Sequence, residues 1–264
     1  MVKVINEEIF NMLSLHLNPS KKLLLGSIQL PTFLGKNTTD IKEIAEFAAH
    51  NAKAFKNGGF DGVFIQDTTI GSLTTDTMCN LSAITKHVKD QVGKFSIGSQ
   101  MECDDAETIL AVAKAASCDM VRIKTYVGAL LKNNGIFNGQ GPNAYRYKIE
   151  NKVNTHIFCD IFNLTGVPFG NLTFKQACSM ALKLGVTGLI VCGHDYNETI
   201  SRLKEAKEEN PKSFVLCGGN ANEDNIMEIL SYCDGAIVSS CLKNAEKTAW
   251  DEDKIKRFVE HARS

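Results

Sequence analysis

The sequence lacks the features of membrane-inserted and secreted proteins. No stretch approaches the roughly 18 uninterrupted apolar residues that a transmembrane helix needs. Residues Met1–Leu13 carry Glu7 and Glu8 where a secretory signal has a cationic end followed by a hydrophobic run. These absences predict a cytoplasmic protein without membrane insertion.

An excess of one charge sign is also missing. The 29 Lys and Arg residues nearly balance the 30 Asp and Glu residues, which leaves a formal net charge of −1 over 264 residues. Such a chain has no global basic field to hold nucleic acid or acidic lipid. Its partners must be recognised by local groups.

Metal and cofactor motifs are absent as well. The sequence contains no HxH, HExxH or CxxC spacing, so no zinc site is expected. The segment after the first apolar run, Gly26–Pro31, is not a Gly-rich dinucleotide turn, and no cofactor is expected. The nine cysteines are odd in number, and Cys159, Cys192 and Cys217 lie inside apolar runs, which indicates reduced core residues.

The sequence does contain eight short apolar runs. They recur about every 30 residues with helix-like stretches between them, the size of a βα unit. Their nearly continuous apolar character is typical of parallel strands covered on both faces. The runs are Leu23–Ile28, Gly62–Ile65, Phe95–Ser99, Met120–Lys124, His156–Ile161, Leu189–Cys192, Phe214–Cys217 and Ala236–Val238.

A weak repeat precedes every second run. In each copy a helix end leads through a small polar residue into a strand, as the base of a barrel requires. The pattern favours a closed (β/α)8 TIM barrel of the α/β class, with a doubly wound open sheet as the alternative. The copies are Gly59–Val63, Ser117–Val121, Gly185–Leu189 and Tyr232–Ala236.

No linker divides the chain, so residues 1–264 are predicted to form a single domain. Residues 1–19 are expected to be an N-terminal helix or cap, and residues 23–263 the barrel. Helix starts are predicted at Asp104, at Asn222 or Glu223, and at Asn197.

Polar residues close the apolar runs, where the chemistry of such a barrel takes place. This ring predicts where a site lies, although any surface is polar and the ring alone identifies no role. In chain order it comprises Gln29, Gln66, Asp67, Gln100, Glu102, Lys124, Asp160, His194, Asp195, Gly218, Gly219, Asn220, Ser239 and Ser240.

The ends of the seventh and eighth runs carry the sharpest signal. Glycines in Gly218–Asn220 would let the backbone approach an anion, and a short helix starting at Ser240 or Cys241 would direct N–H groups to the same point. We therefore expect Gly218, Gly219, Asn220, Ser239 and Ser240 to bind a phosphate group. The alternative is a tight turn followed by an N-cap.

Charged residues inside the predicted mouth are candidates for catalysis. Arg122 and Lys124 lie on one face of the fourth strand and would bind an anion or polarise a carbonyl, or Lys124 would act as a base or Schiff-base nucleophile. The simpler reading pairs Lys124 with Asp67, Glu102 or Asp160. The two aspartates are also candidates for proton transfer.

The remaining candidates have broader roles. Gln29 and Glu102 are expected to contact substrate, and His194 to contact substrate or serve as an acid or base. The glycine-rich segment Tyr126–Pro142 is predicted to be an irregular lid, with an oligomer contact or a simple insertion as alternatives.

Several segments resemble the BtpA/SgcQ family over nearly the whole chain. They include Gly26–Pro31, Asn57–Val63, Arg122 with Gly128–Ala129, Asp234–Val238 and Leu242–Lys243. The resemblance implies a ribulose-phosphate-binding type of TIM barrel, in a family linked to photosystem I biogenesis in cyanobacteria and otherwise placed beside sugar metabolism. Relatives have Asn and His where this chain has Lys124 and Tyr126, and a Lys-His pair that they carry after the fifth strand is absent.

Two functions follow as hypotheses. The first is an isomerase or lyase acting on a small phosphorylated metabolite such as a sugar phosphate. The second is a non-catalytic binding or assembly factor with a degenerate active site. Neither requires a cofactor, a metal, nucleic acid or membrane insertion, and assembly into a homo-oligomer stays open.

Overall fold

The computed structural model describes residues 21–31, 40–69, 73–103 and 105–264. The helix or cap expected for residues 1–19 and the helix start expected at Asp104 lie outside the described residues. Among those residues, no helix is long and apolar enough to cross a membrane.

Eight parallel strands close into a barrel, as the sequence predicts. Each falls on one of the eight apolar runs, and the open-sheet alternative is excluded because the first strand pairs with the last. The barrel strands are β1 (Leu23–Gln29), β2 (Gly62–Gln66), β3 (Ser96–Gln100), β4 (Met120–Ile123), β7 (His156–Ile161), β9 (Gly188–Val191), β10 (Phe214–Cys217) and β11 (Gly235–Val238).

Helices alternate with these strands and cover the barrel. Their apolar faces pack on outward residues such as Val63, Val121 and Val215. The helices are α1 (Ile41–Asn57), α2 (Thr75–Val92), α3 (Ala106–Ala116), α4 (Gly141–Glu150), α5 (Phe174–Lys183), α6 (Tyr196–Glu209), α7 (Ile226–Ser231) and α8 (Glu252–Ala262).

Two predicted helix starts are wrong by one to three residues. Helix α6 is capped by Asp195, which accepts from the N–H of Glu198, and not by Asn197. Helix α7 begins at Ile226, because Asn222 caps the preceding turn by accepting from the N–H of Asp224. In α6 a side-chain acceptor for free N–H groups fixes the start, whereas the N-cap residue of α7, Asn225, makes no side-chain cap bond.

Inward side chains fill the lower barrel with an apolar plug. It consists of Leu23, Leu25, Phe64, Met120, Phe158, Ile190, Leu216 and Ile237. Side chains two residues further along the same strands are therefore the next inward layer. That layer is polar and starts where the plug ends.

The predicted repeat is a structural joint at the base of the barrel. Its aspartates Asp61, Asp119 and Asp234 precede β2, β4 and β11. Each carboxylate accepts a hydrogen bond from a backbone N–H of the preceding barrel strand. The donor is Leu24 for Asp61 at 2.9 Å, Ile97 for Asp119 at 2.8 Å, and Val215 for Asp234 at 2.8 Å. In the remaining copy the backbone N–H of Thr187 donates to the carbonyl of Ile157 at 2.8 Å. The joints tie neighbouring strands together.

The predicted irregular lid Tyr126–Pro142 is in fact ordered. It forms a hairpin of β5 (Ala129–Lys132) and β6 (Gly135–Asn138), and β8 (Val167–Pro168) adds a third antiparallel strand. Residues 133 and 134, both Asn, make the two-residue turn, and Gly135, which follows the turn and pairs with Lys132, has a positive φ of 123°. In the sequence the glycines of this segment indicated an irregular loop, and the hairpin was not predicted.

All nine cysteines are free thiols, but they are not all core residues. Cys159 and Cys217 are buried, as expected, and burial raises the pKa of Cys217 to about 12. Cys103 and Cys192 are only partly buried, and Cys79 and Cys241 are exposed, so the core interpretation is wrong for these four.

His156, at the start of β7, makes stability depend on pH. Burial lowers its pKa from 6.5 to about 4, so the unfolded chain takes up a proton that the folded protein resists. The contribution of His156 to the free energy of unfolding is fully present above pH ~6.5. It is lost as the pH falls towards 4, and the loss amounts to about 3 kcal/mol.

Urea unfolding at pH 7 and pH 4.5 checks this expectation. A His156→Gln variant, which can still bond Thr187, is expected to lose clearly less stability than the unmodified protein. Comparison with the variant cancels the contribution of Asp67, whose raised pKa acts in the opposite direction. Equal losses in both proteins would contradict the assignment.

Candidate functional site

A polar cavity of about 220 Å³ lies at the carboxyl ends of the barrel strands. Seven of the predicted site residues line it: Gln29, Arg122, Gly218, Gly219, Asn220, Ser239 and Ser240. Ile237 of the apolar plug also lines it, together with Ser27, Gln66, Ala221 and Val238. The structure therefore brings the predicted phosphate-binding segments and Arg122 to one cavity.

The two predicted phosphate-binding segments lie side by side because β10 and β11 are paired neighbours. Among the described residues, no hydrogen bond uses the N–H groups of Gly219, Ser239 and Ser240. Unused N–H groups at a cavity wall are donors for an anion. The helix expected at this point is a single 3₁₀ turn, Ser240–Leu242.

Gly218 has a different role from the one the sequence suggests. Its N–H already donates to the carbonyl of Val191 at 2.8 Å, so it offers no donor to a ligand. A Cβ atom at this position would lie 2.5 Å from Cγ2 of Ile190. Gly218 therefore shapes the wall by packing on the apolar plug.

Asn220 and Ser239 hold the cavity wall in place. Asn220 has a φ of 62°, and its Nδ2 donates to the carbonyl of Gly193 at 2.8 Å and to Oγ1 of Thr199 at 2.9 Å. Ser239 donates from Oγ to the carbonyl of Ser27 at 2.7 Å. These bonds occupy the side chains and leave the backbone of the segment to face a ligand.

Arg122 forms a buried bidentate ion pair with Asp160. Nε lies 2.9 Å from Oδ2, Nη2 lies 2.7 Å from Oδ1, and the side chains are 12% and 5% exposed. Burial alone lowers the pKa of Arg122, but the Asp160 carboxylate outweighs it and raises that pKa above its ordinary value. Nη1 has no hydrogen-bond partner among the described residues, so the charged guanidinium keeps a donor for a ligand.

Lys124 lies next to the cavity lining and not in it. Its Nζ is 2.5 Å from Oε2 of Glu102, one of the three ion pairs considered from sequence. Asp67 is buried, its Oδ1 accepts from the N–H of Thr69 at 3.0 Å, and burial raises its pKa. Asp67 and Asp160 thus have different partners and show no direct hydrogen bond.

His194 is exposed and does not line the cavity. Its backbone N–H donates to Oε2 of Glu198 at 2.6 Å, at the start of α6. Within the described residues, no group of three or more His, Cys, Asp or Glu side chains is placed to hold a metal ion.

Sequence reasoning assigned no role to Ser27, Gln66 and Gln100. Gln66 and Gln100 were visible in the ring of strand-end residues, but Ser27 lies within the first apolar run and was missed. The signal for Ser27 is inward alternation along β1, in which it follows Leu23 and Leu25 on the same face. Its Oγ donates to Oε1 of Gln66 at 3.0 Å.

Comparisons with known proteins found a matching family model and several relatives. The model of the BtpA family matches residues 20–264. An uncharacterised protein of Archaeoglobus fulgidus is 27% identical over 250 residues, which cover 92% of this chain and 99% of that protein. The photosystem I biogenesis protein BtpA of Synechocystis sp. is 26% identical over 246 residues, covering 88% of this chain and 84% of the relative.

Among solved structures, phosphoribosyl anthranilate isomerase from Thermus thermophilus is similar in fold. The TM-score is 0.57 at 9% sequence identity, and the match covers 90% of this chain and 97% of that enzyme. At this identity the likeness concerns the barrel architecture alone.

Proposed function

The chain belongs to the BtpA family, and on that premise we propose that it is a TIM-barrel enzyme of the isomerase or lyase type acting on a small phosphorylated metabolite, such as a sugar phosphate. One observation carries the proposal: the unused N–H groups of Gly219, Ser239 and Ser240 share one polar cavity with the guanidinium of Arg122. Backbone donors and a fixed cation suit a phosphate group. A cavity of about 220 Å³ suits a small ligand.

The roles within this proposal follow from the contacts. The phosphate lies against the backbone of Gly219, Ser239 and Ser240, while the Nη1 donor of Arg122 polarises a carbonyl or holds a second oxygen. Asp160 fits proton transfer better than Asp67, because it contacts Arg122 at the cavity. Phosphoribosyl anthranilate isomerase, a barrel of similar fold, acts on a phosphoribosyl compound by its name.

A thermal-shift screen with inorganic phosphate and sugar phosphates tests the proposal. A ligand at roughly 100 times its Kd is expected to add about 2.7 kcal/mol of stability. The Ser240→Asp variant, which sets a carboxylate beside the N–H groups, is expected to lose the shift through charge repulsion. A carboxylate introduced at Gly218 would not serve this test, because any Cβ at that position collides with Ile190 and would disturb the fold.

Ser264→Asp is the matched control. It makes the same change at the exposed C terminus, next to Arg263, which pairs with Asp61 at the base of the barrel. This variant is expected to keep the full shift. The proposal fails when no phosphorylated compound stabilises the unmodified protein, or when Ser240→Asp responds as Ser264→Asp does.

A second candidate function is a binding or assembly factor. The three-stranded sheet of β5, β6 and β8 exposes an apolar row in which Leu131 pairs with Ile136 and Val167. Their exposed fractions are 49%, 53% and 66%. Such a face favours contact with another protein, and the Synechocystis relative is named for photosystem I biogenesis. This function predicts that phosphorylated compounds do not stabilise the protein. It also predicts that a Leu131→Lys variant sediments differently from the unmodified protein.

The proposal also covers location and extent. We place the protein in the cytoplasm, since nine free thiols fit a reducing compartment. We treat the whole chain as one domain, because one family model matches residues 20–264 and the described residues form one closed barrel.

A further inference from the structure

Three polar side chains form a row inside the barrel. Gln66 of β2 pairs in register with Gln100 of β3, which pairs with Arg122 of β4. Gly98, two residues before Gln100, would direct a Cβ onto Phe64 of the apolar plug, so Gln100 points into the barrel as well. Gln66 and Arg122 line the cavity on either side of it.

Gln100 is an unpartnered carboxamide in this row. It is 0% exposed, and among the described residues neither its Nε2 nor its Oε1 has a hydrogen-bond partner. Gln66 uses Oε1 to accept from Ser27, and its Nε2 has no partner in the described part of the chain. A buried amide without partners is costly to stability, and Gln100 lies between two residues that line the cavity, so its position points to a ligand group that pairs with it.

The two strand-end cations Arg122 and Lys124 are already paired. Arg122 is paired with Asp160, and Lys124 with Glu102. A second anionic group on the ligand, beyond the phosphate, would therefore meet no uncompensated cation of this pair of residues, and the described lining of the cavity contains no other Lys or Arg. A carboxamide both donates and accepts hydrogen bonds, which suits hydroxyl and carbonyl groups.

We propose that the row Gln66, Gln100 and Arg122 recognises the hydroxyl and carbonyl groups of the substrate. The substrate is then a phosphorylated polyol, aldose or ketose, and not a phosphorylated carboxylic acid. This inference rests on the proposed function, which supplies the phosphate site. Because Gln100 is closed to solvent and does not line the cavity, its contact with a ligand requires the side chains beside it to rearrange.

Calorimetric titration with three matched compounds tests the substrate class. Ribitol 5-phosphate carries hydroxyls, n-pentyl phosphate carries none, and 5-phosphoribonate carries a carboxylate. The polyol phosphate is expected to bind at least about tenfold more tightly than either of the others, which is the effect of one or two hydrogen bonds. Equal binding of all three overturns this inference and leaves the proposed function standing, whereas no binding of the three together with no shift in the thermal screen overturns both.

A Gln100→Leu variant tests the residue. It removes an unpaired buried amide, so it is expected to unfold at the same or a higher temperature while losing the preference for ribitol 5-phosphate over n-pentyl phosphate. Thr85→Val in α2 is the matched control, since Thr85 is also 0% exposed with an unpartnered Oγ1. It is expected to keep the preference. A folded Gln100→Leu protein that retains the preference contradicts the assignment, and should that variant not fold, Gln100→Glu with the preference intact contradicts it equally.

Discussion

Replacing Arg122 by methionine is expected to destabilise the protein by about 3–5 kcal/mol. The substitution removes the bidentate partner of Asp160, a carboxylate that is 5% exposed, and leaves its charge buried without compensation. It also removes the cation from the cavity, so binding of phosphorylated compounds is expected to be lost. Urea unfolding and calorimetric titration measure the two effects separately.

A double variant separates the structural from the functional part of this effect. In Arg122→Met with Asp160→Leu both charges are absent, and apolar side chains of similar size take their place. Most of the lost stability is expected to return, because the desolvation cost disappears together with the attraction. Phosphate binding is expected to stay lost. If the single Arg122→Met variant is as stable as the unmodified protein, Asp160 is not left as an uncompensated buried charge and the explanation is wrong.

Replacing Gly235 by alanine is expected to cost about 3 kcal/mol, at the upper end for overpacking. The new Cβ would lie 2.2 Å from the carbonyl oxygen of Leu23, its register partner on β1. A backbone atom within a closed barrel cannot move aside without disturbing the β1–β11 pairing. The urea midpoint of the variant measures this loss.

Gly219→Ala is the matched control for that substitution. Its Cβ would meet only Sγ of Cys192, at 2.7 Å, and a cysteine side chain can rotate away. The cost is expected to be about 1 kcal/mol or less. The explanation from backbone contact is wrong if both variants unfold at the same urea concentration.

The barrel could be predicted from sequence because its signals are local. Continuous apolar runs mark strands covered on both faces, and the repeated joint before Gly62, Gly188 and Gly235 marks the base. The β5–β6 hairpin was missed because its glycines, taken together, resemble those of a loop. Only the register places Gly135, with its positive φ, directly after the two-residue turn.

The candidate site was predictable as a set of residues but not as a set of contacts. Strand ends in a barrel converge, so Arg122, Gly219 and Ser239 could be placed at one mouth. Which carboxylate pairs with Lys124 depends on distances between strands, which spacing along the chain does not contain. The same is true of Gly218, whose N–H is taken by a neighbouring strand.

The aspartate joints and the candidate site lie at opposite ends of the barrel. Asp61, Asp119 and Asp234 bond neighbouring strands at the base of the barrel, the end opposite the cavity. Lys124 and Tyr126 follow β4 at the cavity end, at the positions where the family resemblance implies Asn and His. Because the joints and the cavity lie at opposite ends of the barrel, a substitution in the cavity lining leaves the strand-to-strand bonds of the joints in place.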